Sequence, residues 1–345
     1  MRYDEQPQVS ASASVTAKVA IVLAAESYRR YAEENGFRQE MLEKVIRLGQ
    51  ILGAVTEDPD LGVKLALKGG TAINLMVEPI RRLSVDLDFN YVGAIEREAM
   101  LRDKPNVLDR FRQVGERYDY RVGIPRDEHG GSKFSLRYRN SLGGQDLIEI
   151  DINWITRVPL GPLQRRPLWQ PEGLERPHAI VVPTEELIAG KLRALIDRVA
   201  ARDVFDACFL PQLIGGDWPS RKAKALFVFY TGTLSVPLTS YSIDRLDRLS
   251  ETDYGNKLLP VLSLKEVPDR LSLIAHAKEV LRPMLELDEA QLEYVERLQL
   301  GDYRPELLLP FDLDLAERLR FHPALLWKAK NAKEHHAKQV SKKRL

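Results

Sequence analysis

Cysteine is almost absent from this 345-residue chain: Cys208 stands alone, so no disulfide can close within it and no cysteine-built zinc cluster is possible. Its neighbours, Phe205-Asp206-Ala207 before it and Phe209-Leu210 after it, suit a buried reduced thiol better than a nucleophile. Long apolar runs are missing too. The longest near the start, Val19 to Ala25, has seven residues, follows Asp4 and Glu5, and fits neither a membrane-spanning helix nor a signal peptide. A cytoplasmic protein with no membrane partner is the expectation. Net charge is nearly absent as well, at +1, but it hides an asymmetry. From Trp327 to Leu345 seven Lys or Arg face the single Glu334.

The length exceeds what one compact core usually holds, and an apolar content of 44% is ordinary for a globular protein. Residues 1–14 read as a disordered polar lead, 15–180 as a first domain with N-terminal helices, 181–328 as a mainly helical second domain, and 329–345 as a basic tail. Such a tail either tracks a phosphate backbone or ends as a solvated terminus. His335-His336 within it is too isolated to hold a metal. No repeat is evident.

The stretch that organises the chain is Lys68-Gly69-Gly70-Thr71, running on to Ser84-Val85-Asp86-Leu87-Asp88-Phe89. Val85, Leu87 and Phe89 alternate with Asp86 and Asp88, the period of a half-buried strand, so both carboxylates leave one face about 6.6 Å apart along it. Hard oxygen donors so placed suit a divalent cation such as Mg²⁺ gripping a triphosphate. Upstream, Val63 to Leu67 reads as a strand and Gly69-Gly70-Thr71 as the turn into a helix over Ala72 to Met76. Glycines let backbone N–H groups approach phosphate oxygens, and a helix start favours negative charge.

Around this stretch, Arg38 to Val55 repeats Leu42, Val45, Leu48, Leu52 and Val55 at helical spacing, and Val107, Phe111, Val114 and Tyr118 do the same after Pro105. Strands are expected over 118–124, 133–139 and 146–154. In the last, Ile148, Ile150 and Ile152 share one face and Glu149, Asp151 and Asn153 the other. Residues 157–178 are rich in proline and arginine and read as a surface connection, in which Arg165-Arg166 could meet a nucleic-acid backbone. Pro183-Thr184-Glu185-Glu186 opens a helix with an N-cap and first-turn acids. Leu187, Lys191 and Leu195 fall on one face of it, where a lysine requires an anion or water for its ammonium. Beyond Pro211 the patterns are mostly helical.

The order strand, Gly-Gly-Thr, helix, Asp-x-Asp strand resembles the polymerase-β-like nucleotidyltransferase fold. KGGTAINLM followed by Arg82-Leu83-Ser84-Val85-Asp86-Leu87-Asp88, and later ELIAGKLRALIDRVAARDVFD, resemble the AbiEii/MenT family of nucleotidyltransferase toxins. The resemblance runs in patches from Lys68 to Lys328, where His322 to Lys328 is similar to the family's C-terminal region. It implies an α+β fold: a nucleotidyltransferase domain with a mixed sheet flanked by helices, followed by a mainly helical C-terminal domain. Transfer of NMP from an NTP to RNA, in characterised members the tRNA 3′ end, is implied as well, with Mg²⁺ or Mn²⁺ and an antitoxin partner encoded nearby. The implied catalytic residues are Asp86, Asp88, Asp151, Lys191 and Asp203 or Asp206. The implied metal ligands are Asp86, Asp88 and Asp151, and the nucleotide-binding residues Lys68, Gly69, Gly70, Thr71, Arg82, Ser84 and Lys191. Arg81 and Arg82 read either as a solvated basic pair or as phosphate ligands. Three other readings stay open: a small-molecule nucleotidyltransferase, phosphotransfer to a protein, and a catalytically dead fold that binds only.

Overall fold

The structure is a computed structural model that describes residues 23–128, 130–265 and 267–342. The expected lead at 1–14 lies outside these residues.

A mixed eight-stranded sheet carries the site. Its order is β3 (Arg121–Val122), β5 (Gly131–Arg139), β6 (Gln145–Asn153), β2 (Asp86–Tyr91), β1 (Leu65–Lys68), β8 (His178–Val181) and β7 (Gln164–Pro167), with β4 (Arg126–Glu128) on the outer edge of β5. β2 runs parallel to β6 and antiparallel to β1, and β8 runs parallel to β1. The 157–178 connection therefore supplies a strand and the start of another. Its prolines confine it to the sheet edge, where a missing N–H disrupts no central ladder.

One face of the sheet is covered by α2 (Gln39–Glu57) and α4 (Arg97–Arg117), with α1 (Ala25–Asn35) against α2. The repeat read from the sequence is the reason: Leu42, Val45, Leu48, Leu52 and Val55 are all buried. Phe111 of α4 meets Phe89 and Phe134 edge-on, with ring centroids 6.1 and 5.1 Å away, beneath Leu87, Ile150 and Ile152. α4 starts well before the expected point and takes Pro105 into its interior. Only one backbone bond is lost there, and the flanking turns still bury Met100 and Val107.

The opposite face carries the even-numbered residues of β2 and meets α3 (Gly69–Asn74), α5 (Thr184–Arg198) and α6 (Ala201–Ala207). α3 begins directly at Gly69, not at Ala72, because Gly69 at φ +74° turns the chain in a single residue. It stops at Asn74, ahead of Pro79. α5 lacks the expected threonine cap. Pro183 holds the cap position, and Thr184 Oγ1 accepts a bond from Arg166 Nη2 instead. Further helices follow: α7 (Arg221–Thr231), α8 (Glu251–Asp253), α9 (Arg270–Leu285), α10 (Glu289–Gln299), α11 (Leu313–Leu319) and α12 (Pro323–Lys342). α12 takes the backbone of the basic tail into a helix through Lys342. One continuous apolar core joins the sheet to these helices. Arg82 pairs in an isolated bridge with Leu262, so the lead-in to the acidic strand is tied to the helical part.

Candidate functional site

Sheet register sets up a row of charges. Lys133 of β5, Asp151 of β6, Asp88 of β2 and Lys68 of β1 lie side by side across four strands. Residues opposite one another point to the same face, so Asp88 and Asp151 are neighbours on the face away from α2 and α4. Asp86 stands one row along, beside Glu149. Asp86 and Asp151 keep about a third of their side-chain surface, 32% and 31%. Lys133 Nζ lies 3.5 Å from Asp151 Oδ2.

Gly69 brings the backbone against this row. A Cβ there would sit 2.5 Å from Asp88 Oδ2, and φ is already in the left-handed region, so any side chain is excluded twice. Beside it, a Cβ on Gly70 would meet Arg82 Nη2 and Ser84 Oγ, each at 3.0 Å. Thr71 Oγ1 donates to the Asp86 carbonyl at 2.5 Å and lies 3.0 Å from Ser84 Oγ. A hydroxyl has one proton, so Ser84 donates in the second contact. The Gly-Gly-Thr turn is thereby pinned to the start of the acidic strand.

Behind the turn lies a buried charge network. Asp206 of α6 accepts from Arg82 Nε and Nη2, both at 2.7 Å, from Asn74 Nδ2 at 3.0 Å, and from Lys191 Nζ at 2.7 Å. Asp203 accepts from the same Lys191 Nζ at 2.8 Å and from Arg198 Nε at 2.6 Å. Asp203, Asp206 and Arg82 are each 1% exposed. Burial works against the Lys191 ammonium, yet Asp203 and Asp206 outweigh it and hold its pKa above the ordinary lysine value. Burial also works against both carboxylates. Lys191 and Arg198 around Asp203, and Arg82 and Lys191 around Asp206, outweigh it and hold both acids below the usual carboxylate range. Arg202 Nη1, one residue before Asp203 in the first turn of α6, reaches out to Asp86 Oδ2 at 3.1 Å.

The structure brings together the twelve residues that the sequence singled out for the site, Lys68, Gly69, Gly70, Thr71, Arg82, Ser84, Asp86, Asp88, Lys191, Asp203 and Asp206 with Asp151. Asp151 joins through the neighbouring strand. Arg82 takes a particular place in this set. Its guanidinium lies behind Gly70 and is engaged by Asp206 and, through Nη1, by the Leu83 carbonyl at 2.7 Å. Arg81, by contrast, lies at the surface over the Phe209 ring at 4.2 Å. Residues the sequence reading left out are Arg198, Asn74 and Glu186. Arg198 falls seven residues after Lys191, on the same helix face, a spacing that could have marked it. The sequence marks Glu186 only as a first-turn acid. It is buried, accepts from the Leu160 N–H and the Tyr230 hydroxyl, both at 2.8 Å, and lies 3.4 Å from Asn90 Nδ2. Burial pushes its carboxyl up to about 7.

Among the described residues no three His, Cys, Asp or Glu side chains form a ready metal cage. Two or three half-exposed carboxylates on one face do fit Mg²⁺, which is usually held by one or two carboxylates together with substrate phosphates.

A mixed sheet bearing an Asp-x-Asp face beside a Gly-Gly-Thr turn is the architecture of a nucleotidyltransferase. Residues 50–295 match the family described as the nucleotidyl transferase AbiEii toxin of type IV toxin–antitoxin systems, and the chain belongs to that family. Its structure is similar to that of MenT4, a nucleotidyltransferase toxin from Mycobacterium tuberculosis H37Rv, over 91% of this chain and 99% of that one. The TM-score is 0.59 at 18% sequence identity, a likeness of fold. No curated protein matches the chain in sequence.

Proposed function

We propose that this toxin transfers NMP from an NTP to an RNA acceptor, the tRNA 3′ end, and so blocks aminoacylation and arrests growth. The observation that carries this reading is the contrast on one sheet face: Asp86 and Asp88 stand half-open beside a side-chain-free Gly69, while the cations behind them are fixed by buried acids.

Asp86, Asp88 and Asp151 would hold Mg²⁺ or Mn²⁺, which supplies charge neutralisation at the α-phosphate and activates the attacking hydroxyl. The backbone of Gly69 and Gly70 lies open to phosphate oxygens, with Thr71 and Ser84 fixing its position and Lys68 at the edge of the row. Lys191 contributes positive potential from behind the turn, and Asp203 and Asp206 orient it. Arg82 braces α6 against the turn through Asp206. Arg202 exchanges Asp86 for a phosphate oxygen when the nucleotide enters, since guanidinium suits both anions. The acceptor oxygen then attacks the α-phosphorus in line, one P–O bond forms, and pyrophosphate leaves. The helices after residue 180 thus belong to the working site and share one apolar core with the sheet.

Membership of a type IV system implies an antitoxin partner. No helix among the described residues is long and apolar enough to cross a membrane, and we place the enzyme in the cytoplasm, where its RNA is.

The test is incubation of purified protein with total tRNA, Mg²⁺ and each α-³²P-labelled nucleotide in turn, beside an Asp86→Ala, Asp88→Ala variant. Label on tRNA from one nucleotide, absent in the variant, is the expected result. A protein that binds triphosphate but labels no RNA would overturn the RNA acceptor in favour of a small molecule or a protein.

A further inference from the structure

The face that carries Asp86, Asp88 and Asp151 does not end at β6. It continues over β5 and the two short strands on its outer edge, and there it turns basic. Register places Arg121 of β3 directly opposite Arg137 of β5, and Arg126 of β4 directly opposite Lys133 of β5. Arg139 follows Arg137 by two residues, on the same face. All five side chains are exposed. Their partners across the strand point the same way as Asp151, because Lys133 is itself in register with Asp151.

Like charges directly opposite on a sheet repel and destabilise the pair. Here two such pairs lie along one face of β5, with Ser135 between them. Lys133 reaches Asp151, and among the described residues no carboxylate forms an ion pair with Arg121, Arg126, Arg137 or Arg139. Glu149, opposite Ser135, is the acid that intervenes on this face between the arginines and Asp86. Charged side chains on an outermost strand can serve to block edge pairing. That use does not account for Lys133 and Arg137, whose strand already has β4 and β3 along its outer edge. An extended polyanion does account for them. β5 lies two strands from β2, about 10 Å, and Lys133 to Arg139 extends about 20 Å along the strand. A chain of phosphates lying on these residues would deliver its end to the acid pair.

We infer that Arg121, Arg126, Lys133, Arg137 and Arg139 form a phosphate track that docks the backbone of the RNA acceptor and directs its 3′ end across β6 to Asp86 and Asp88. The inference rests on the RNA reading above and adds the route by which the acceptor arrives. It is an electrostatic, sequence-independent contact, so it acts on binding of RNA and not on binding of the nucleotide.

The experiment compares wild type, an Arg121→Glu, Arg137→Glu variant, and an Arg282→Glu, Arg318→Glu control with the same charge change on exposed residues of α9 and α11. KM for total tRNA, KM for the NTP and kcat are measured by label transfer. Binding of a fluorescent single-stranded RNA is followed across salt concentrations, and thermal melting verifies folding. The track variant is expected to melt with wild type and keep its NTP KM, with KM for tRNA raised about tenfold or more. The slope of log affinity against log salt should become shallower by about 1.5, the loss of about two phosphate contacts. The control should match wild type. Labelled tRNA with KM and salt slope unchanged in the track variant, or changed equally in the control, overturns the track alone. Wild-type protein that neither labels nor binds RNA overturns the acceptor and the track together.

Discussion

This chain keeps two sets of acids under opposite conditions. Asp86, Asp88 and Asp151 stand on an open sheet face, each with part of its surface in water and at most one cation beside it. Asp203 and Asp206, on a helix packed behind the turn, are buried and surrounded by Lys191, Arg82 and Arg198 at 2.6–2.8 Å. The first set has free coordination capacity and the second has none. The same residue type therefore serves as the ion-binding face in one place and as a fixed electrostatic frame in the other. What separates them is whether the surrounding sequence supplies cations on rigid elements.

Changes to each set should then fail in different ways. Replacing Asp86 and Asp88 by alanine should abolish transfer, by about a thousandfold or more, since the effect removes several kcal/mol of charge stabilisation at the reacting phosphate. Melting should barely move. Substitution of Asp206 by alanine should instead destabilise the fold by about 3–5 kcal/mol, read from urea unfolding, because it strands Arg82 and Lys191 as buried charges. A variant that unfolds like wild type would break the comparison.

Glu186 sharpens it from a third direction, being buried with neutral donors in place of cations. Its folded pKa of about 7 lies above its unfolded value of 4.5, so its contribution is complete below about 4.5 and is lost as pH rises through 7. Relative to Glu186→Gln, wild type should lose about 3 kcal/mol of stability across that window. Denaturant melts of both proteins from pH 4.5 to 8 would reveal it, and a pH-independent difference would contradict it. The smallest effect is expected at Arg202, which bridges the two sets. Arg202→Gln should raise the KM for NTP by about tenfold, with melting unchanged, if its guanidinium moves from Asp86 to a phosphate.

The open set was legible in the sequence because a strand has period two, and Asp86 and Asp88 declare themselves by alternating with Val85, Leu87 and Phe89. Lys191 was legible for a related reason, as a charge on an apolar helix face. The partner of Arg82 was not. Arg82 and Asp206 are 124 residues apart and meet only because α6 packs behind the Gly-Gly-Thr turn. Sequence alone made Arg82 either a solvated residue or a phosphate ligand, since nothing local shows an acid that far away. Glycine at position 69 was legible as a need for backbone freedom, whereas the carboxylate of Asp88 against its Cα became visible only through strand register. β7 and β8 were hidden by the prolines in and around them, which mark a loop in sequence, whereas in the sheet β7 forms the edge and β8 lies between it and β1. The basic face of β3 to β5 was hidden for the opposite reason. Its arginines alternate as ordinary solvent-facing residues do, and their opposition across strands depends on pairing that no local pattern states.

The most direct measurement pairs Asp88→Asn with Asp206→Asn, each examined by calorimetry and by label transfer in the same buffer. Asp88→Asn should melt with wild type and transfer no label, while Asp206→Asn should melt several degrees lower. The opposite pattern, with Asp88→Asn unfolding early or Asp206→Asn as stable as wild type, would contradict the division between an open acid face and a buried frame.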